Sequence, residues 1–275
     1  MSDNHKTGDY FEMNRAGWDR RAAVHLDSAF YDVAGFLEGK TSLREIELAE
    51  LNKVEGKRLL HLQCHFGLDT LSWARLGAHA TGVDLSPVAI KQASELADKS
   101  GVAADFVCSN VYDFDRGDAD PYDIVFTSYG TICWLPDINR WAEIVSSNLA
   151  VGGTFYMAEF HPIHDLLAGY SYFTREIPDV EEEGTYTENS DDAVAEFAVW
   201  SHPISSVVNA LVKQGIEIIH LNEFSYSPYD CFDNMKEREP GRFCLQHQGQ
   251  DVPMVYSIRG KKKSVCQELA DDRIA

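Results

Sequence analysis

From residue 56 onward, short apolar runs alternate with amphipathic segments, the pattern of a parallel sheet covered by helices on both faces. The runs RLLHLQ (58–63), HATGVD (79–84), ADFVCS (104–109), YDIVFTS (122–128) and TFYMAEF (154–160) predict strands. Helices fit DTLSWARLG, SPVAIKQASELADKSG and DINRWAEIVSSNLA between them. The second opens on Ser86-Pro87, a cap with proline at the first helical position, and stops at Gly101. The third runs into a turn at Gly152-Gly153. Ahead of this core, residues 10–37 and SLREIELAEL (42–51) read as helices, the former carrying Trp18, Arg21, His25 and Tyr31. Behind it, residues 161–200 read as irregular, aromatic and acidic, with 179–192 as a solvated loop. ISSVVNALVKQG then predicts a helix, IEIIHLNEF a strand, and PMVYSIRG a last strand after a polar loop.

The length of 275 residues and a 44% hydrophobic content allow one sizeable α/β core. A net charge of −20 repels a polyanion, and the only dense basic cluster is Lys261-Lys262-Lys263, so nucleic acid is not the expected partner. No run reaches the roughly 18 apolar residues of a membrane helix, and the N-terminus has no apolar signal core. The expectation is a soluble cytoplasmic protein. The six cysteines show no C-x-x-C pair, as befits reduced thiols.

The turn after the first strand, Gln63-Cys64-His65-Phe66-Gly67, sits where α/β sheets bind ligands, at a strand's carboxyl end before a helix N-terminus. Asp84 ends the second strand about 20 residues later, the spacing at which a carboxylate reaches the two hydroxyls of a ribose. An aspartate before Ser86-Pro87 can also simply cap a helix; the conjunction of turn and acid favours ribose. A pyrophosphate needs bare backbone, which Gln63, Cys64, His65 and Phe66 do not offer. A nucleoside without phosphates, such as S-adenosylmethionine (SAM), suits the turn better.

At these residues the chain resembles the class I SAM-dependent methyltransferases. HLQCHFG is similar to their first motif, with Cys64 and Gly67 matching while His61, Gln63 and His65 replace the usual Asp, Gly and Gly. TGVDLSPVAIKQA matches the second, with Asp84 in the ribose place and Leu85 after it. FVCSNVYDF resembles the third, with Asn110 where an acid normally meets the adenine amino group. YDIVFTSYGTICWLPD resembles the fourth, and NLAVGGTFYMAEFHP the helix end, Gly-Gly turn and fifth strand. The resemblance implies a doubly wound, seven-stranded, mostly parallel sheet with an antiparallel last strand, N-terminal helices and a lid-like insertion after strand 5. Its expected division is a helical segment, 1–55, covering the cofactor, and a methyltransferase domain, 56–275, in which 161–202 is an acceptor-side insertion.

The implied cofactor residues are Gln63, Cys64, His65, Gly67, Thr70, Asp84, Leu85, Asn110, Val111 and Ser128, with Arg21 pairing the SAM carboxylate. A small-molecule acceptor is expected over the fourth and fifth strands, beside Tyr129, Trp134, His161, Tyr172 and Trp200. His161 is the candidate general base if the acceptor is a hydroxyl, with Glu159 orienting it or binding a cationic acceptor. A strand-end histidine can equally be structural. His161, His164 and Asp165, or Cys244 and His247, fall short of a metal-ligand set, and no metal is expected. A homodimer is open. A nicotinamide-dependent oxidoreductase and a non-catalytic SAM-binding protein are the alternatives.

Overall fold

The computed structural model describes residues 3–190 and 194–264. Cys266 lies outside the described residues, as do positions 191 and 192 of the expected solvated loop. The chain begins with helices α1 (Asp3–His25), α2 (Val33–Leu37) and α3 (Glu45–Glu50). Then β1 (Arg58–Leu62), β2 (His79–Asp84), β3 (Asp105–Cys108), β4 (Tyr122–Ser128) and β5 (Leu149–Phe160) alternate with α4 (Leu68–Arg75), α5 (Pro87–Ser100) and α6 (Ile138–Asn148). Next come α7 (Ile163–Leu167), β6 (Asp179–Glu183), β7 (Ala195–Val199), α8 (Ile204–Lys213) and β8 (Ile216–Phe224). Four short strands follow, β9 (Lys236–Glu239), β10 (Arg242–Cys244), β11 (Gln246–His247) and β12 (Gln250–Asp251), before β13 (Val255–Lys262).

Seven strands form one sheet in the order β3-β2-β1-β4-β5-β13-β8, parallel from β3 to β5, with β13 antiparallel to both its neighbours. Side-chain alternation builds its two cores. Leu60, Leu62, Val125, Phe155, Met157, Tyr256 and Ile258 pack on the face of α6 and α8. Leu59, Ile124, Phe126, Tyr156 and Ala158 pack on the opposite face against Trp73 of α4. Burial on both faces explains why these strands read as continuous apolar runs.

Three segments depart from the sequence expectation. Within 161–200 the structure holds α7 and an antiparallel ribbon of β6 and β7, pairing Glu181 with Phe197. Its acid-rich first strand has low β-propensity, and α1 supplies what local sequence lacks. Asn14 donates to Ala198 O and accepts from Ala198 N, at 2.9 and 2.8 Å. Gly17 lets the Phe197 ring lie where a Cβ would come within 2.3 Å of it. The polar loop before the last strand contains two small hairpins, β9–β10 and β11–β12. The expected helix over 10–37 breaks after His25, where Asp32, at φ 43°, caps α2 by accepting from Gly35 N. Among the described residues no helix is long and apolar enough to cross a membrane.

Candidate active site

The carboxyl ends of β1, β2, β4 and β5 open into a cavity of 1160 Å³, roofed by α1 and the β6–β7 ribbon. That exceeds the roughly 300–1,000 Å³ of a pocket for one ligand, so a nucleoside and a second small molecule can share it.

The turn between β1 and α4 keeps the backbone course of a glycine loop without its glycines. Gln63 and His65 stand in the left-handed region at φ 58° and 51°, and Gly67 at 81°. Gly67 is also required by space, since a Cβ there would meet the Phe106 ring at 2.6 Å. The strained residues, which cost about 1–3 kcal/mol each, hold their side chains in place. Gln63 Nε2 donates to Thr131 O at 2.7 Å, which fixes the amide orientation and aims Oε1 elsewhere. A ring nitrogen of His65 pairs with one of His25 at 2.9 Å, and the other His25 nitrogen meets the Thr185 hydroxyl, linking turn, α1 and ribbon. Burial pushes the His25 imidazole down to about 3, and His65 well below its usual range.

Asp84 accepts from His65 N and Ser86 N at 2.8 and 2.9 Å, so the acid both ends β2 and anchors the turn. The cap of α5 is Ser86, whose hydroxyl accepts from Ala89 N. Asp84 is therefore not spent as the helix cap, and it stands in the cavity wall with lone pairs beyond those two bonds. Burial lifts its carboxyl to about 6. Asn110 accepts from Tyr112 N through Oδ1. Leu85, Val111, Cys64 and Ser128 also line the cavity.

Four expected residues have other duties. Thr70 is fully buried and bonds His61 at 2.9 Å, outside the cavity wall. Arg21, expected at the SAM carboxylate, donates to Glu183 and to Gly184 O at 2.9 and 2.8 Å, with its guanidinium 3.9 Å from the Phe197 ring centre; it rivets α1 to the ribbon. Glu159 accepts from the backbone N–H groups of Gly130, Thr131, Ile132 and Phe160 and from the Thr131 hydroxyl. Burial raises its carboxyl while those backbone bonds lower it, and its work is to hold the loop after β4. Nothing is left to orient His161. His161 Nδ1 accepts from Ile163 N at 3.1 Å, so Nε2 carries the hydrogen and donates to Glu223 at 2.9 Å. A ring with its lone pair already used is poorly placed as a general base.

Of the acceptor-side residues, Tyr129, Trp134, His161 and Trp200 line the cavity; Tyr172 does not, and Tyr170 takes its place. The cavity adds residues the sequence did not single out, among them Arg44, Asp69 and Tyr229. Asp69 accepts from the Ser42 and Ser128 hydroxyls, and the Arg44 guanidinium lies 4.5 Å from the Tyr229 ring centre. Beside them, fully buried Glu47 accepts from the Tyr129 hydroxyl at 2.8 Å, and burial with Asp69 nearby pushes it up to about 7. Amphipathic spacing reads Arg44 and Glu47 as a helix surface, and Tyr229 falls in the polar loop, so only tertiary packing reveals them. Among the described residues no three His, Cys, Asp or Glu side chains are grouped to hold a metal. Cys64, Cys108, Cys133, Cys231 and Cys244 are all free thiols.

The model of the methyltransferase domain family matches residues 59–153, from β1 into β5. A ubiquinone biosynthesis O-methyltransferase of Xanthomonas axonopodis pv. citri is 29% identical over 178 residues, 63% of this chain and 68% of that protein. A second, from Xanthomonas euvesicatoria pv. vesicatoria, is 26% identical over 74% of this chain and 82% of its own. The structure of a putative SAM-dependent methyltransferase from Listeria monocytogenes superposes with a TM-score of 0.55 at 18% identity, covering 79% of this chain and 98% of that one, a likeness of fold. The chain thus carries a methyltransferase domain over residues 59–153, on a sheet order and fold like those of SAM-dependent methyltransferases. It is an enzyme of SAM-dependent methyl transfer, which sets aside the nicotinamide and non-catalytic readings.

Proposed function

We propose that SAM lies with its ribose on Asp84, its adenine against Asn110 and Val111, and its amino-acid end between Gln63 and Arg44, and that the methyl acceptor is a small-molecule hydroxyl. The observation that carries the cofactor placement is a set of buried polar atoms without a partner among the described residues. Gln63 Oε1 and Arg44 Nε are both orphaned, and both residues line the cavity. An α-amino acid presents an ammonium for the first and a carboxylate for the second, the charge pattern of the SAM tail. Arg44 takes the part expected of Arg21, whose Nε and Nη2 donate to the ribbon.

When bound, SAM supplies an electrophilic methyl group on a sulfonium. The residues of this chain contribute positioning and exclusion of water, for which effective molarities of order 10⁵ M are available. In this reading α1 and the 163–202 segment form the cover, Trp18, Trp134 and Trp200 give an apolar lining, and the rest of 56–264 is the methyltransferase domain. The curated relatives are named for O-methylation, which supports oxygen as the acceptor atom. The free thiols fit a cytoplasmic setting.

Titration calorimetry with SAM and its demethylated product, S-adenosylhomocysteine (SAH), on Asp84→Ala tests the placement. Losing charge-assisted bonds to two hydroxyls should weaken binding at least tenfold, about 1.4 kcal/mol. Unchanged affinity would remove Asp84 from the ribose site.

A further inference from the structure

A closed circuit of contacts surrounds Arg44. Helix α3 has six residues, too few to be stable alone, so its place depends on what its acids catch. Glu50 accepts from the Tyr156 hydroxyl at 3.0 Å, and Glu45 from that of Tyr226 at 2.6 Å. Glu47 does more. It is fully buried, and its two oxygens go to different partners: Oε1 accepts from Arg44 N, in the manner of a capping box, and Oε2 from the Tyr129 hydroxyl at 2.8 Å. Tyr129 N also donates to Ala158 O at 2.8 Å, so the backbone after β4 is fixed and the hydroxyl bond fixes the ring. That ring meets Tyr229 edge to face, with centres 5.1 Å apart, and Tyr229 in turn carries the Arg44 guanidinium 4.5 Å from its centre. The contacts thus run from Arg44 through Glu47, Tyr129 and Tyr229 back to Arg44.

We propose that Glu47 is a positioning residue: through Arg44 N on one side and through Tyr129 and Tyr229 on the other, it sets the guanidinium where the cofactor's carboxylate meets it. The site then selects the amino-acid tail as well as the nucleoside. This rests on the placement of that tail at Arg44 proposed above. Arg44, Tyr129 and Tyr229 line the cavity, whereas Glu47 stands behind them. An arginine has much rotamer freedom to lose on binding, and a guanidinium held in place beforehand loses less. Enclosing an acid beside Asp69 is costly, as the shift of Glu47 to about 7 records. Packing alone would be served as well by an apolar side chain.

A ligand that lacks the tail separates positioning from structure. SAH and 5′-methylthioadenosine, the same nucleoside without the amino-acid end, are titrated by calorimetry into wild type, Arg44→Ala, Glu47→Ala and the double variant. Arg44→Ala should weaken SAH about tenfold or more and leave methylthioadenosine within about twofold. Glu47→Ala should weaken SAH about fivefold or more, again with methylthioadenosine within about twofold, and should cost nothing further when Arg44 is already alanine, because it acts through that side chain. Glu50→Gln, which loosens α3 outside the circuit, should change neither affinity. Should Glu47→Ala not fold, Glu47→Gln, which keeps one of the two acceptors, carries the same comparison with a loss of about threefold. Equal weakening of both ligands by the Glu47 variants, unchanged SAH affinity, or losses that multiply in the double variant would overturn the proposal. Unchanged SAH affinity in Arg44→Ala would instead sink the placement of the tail, and this proposal with it.

Discussion

The acids of this site divide by what they can reach. Glu159 is saturated by backbone donors and holds the loop after β4, whereas Asp84 accepts two backbone bonds and keeps lone pairs for the cavity. Burial raises the Asp84 carboxyl to about 6 in the free protein, and ribose hydroxyls favour its ionised form, so a bound nucleoside lowers that value. SAH affinity should therefore be full above pH 6 and fall as the pH drops through 6, by up to about tenfold per unit. Calorimetry between pH 5 and 8 on wild type and Asp84→Asn checks this; a slope that survives in the variant belongs to another group, such as Glu47. Asp84 was legible in the sequence because strand, turn and acid recur at a fixed spacing. The proposed part of Arg44 was not, because what marks it is an unsatisfied atom, which only packing defines. For His161, open in the sequence between a base and a structural residue, the place at a strand end can be read, but not the Ile163 N–H that uses its lone pair and favours the structural reading.

At the scale of elements, the parallel strands and their helices could be read to within a residue or two, since burial on both faces writes itself as apolar runs; β5 is the exception, beginning at Leu149, five residues before the predicted run and where the helix was expected to end. β8 is found over the whole of the predicted run, and β4 likewise. The ribbon escaped notice because it is made by a contact 160 residues away in sequence. Arg21 sits at that contact, 4% exposed, between Glu183, Gly184 O and the Phe197 ring. Arg21→Ala removes the rivet and leaves the carbonyl and carboxylate partners to water. Hydrogen exchange in α1 and β6–β7 should then speed by about tenfold or more, with β1, β4 and β5 unaffected. Exchange unchanged in α1 would show that Asn14 and the His25–His65 pair suffice to hold it.

For the molecule as a whole, the 44 acidic against 24 basic residues matter more for solution behaviour than for fold. Most ion pairs are at least half exposed on one side, such as Arg242 with Glu45 and Lys40 with Asp32, and are worth little. Self-repulsion at a net charge of −20 outweighs them. Raising sodium chloride from about 20 to 150 mM, which shortens the screening length to roughly 8 Å, should increase the melting temperature. A decrease would mean that the surface pairs dominate.

The clasp between α1 and the ribbon has a kinetic consequence. Asn14 grips Ala198, Arg21 grips Glu183, and His25 joins the turn to Thr185, so the roof over the nucleoside and the roof over the acceptor are one piece. With cofactor and acceptor placed as proposed, lifting one half of the roof would disturb the other. On that placement, spent cofactor and methylated product are expected to depart through one opening event, and the prediction is that this event, not the displacement at the methyl group, limits turnover. A burst of product in the first turnover, followed by a slower steady rate, is the signature such a shared door imposes.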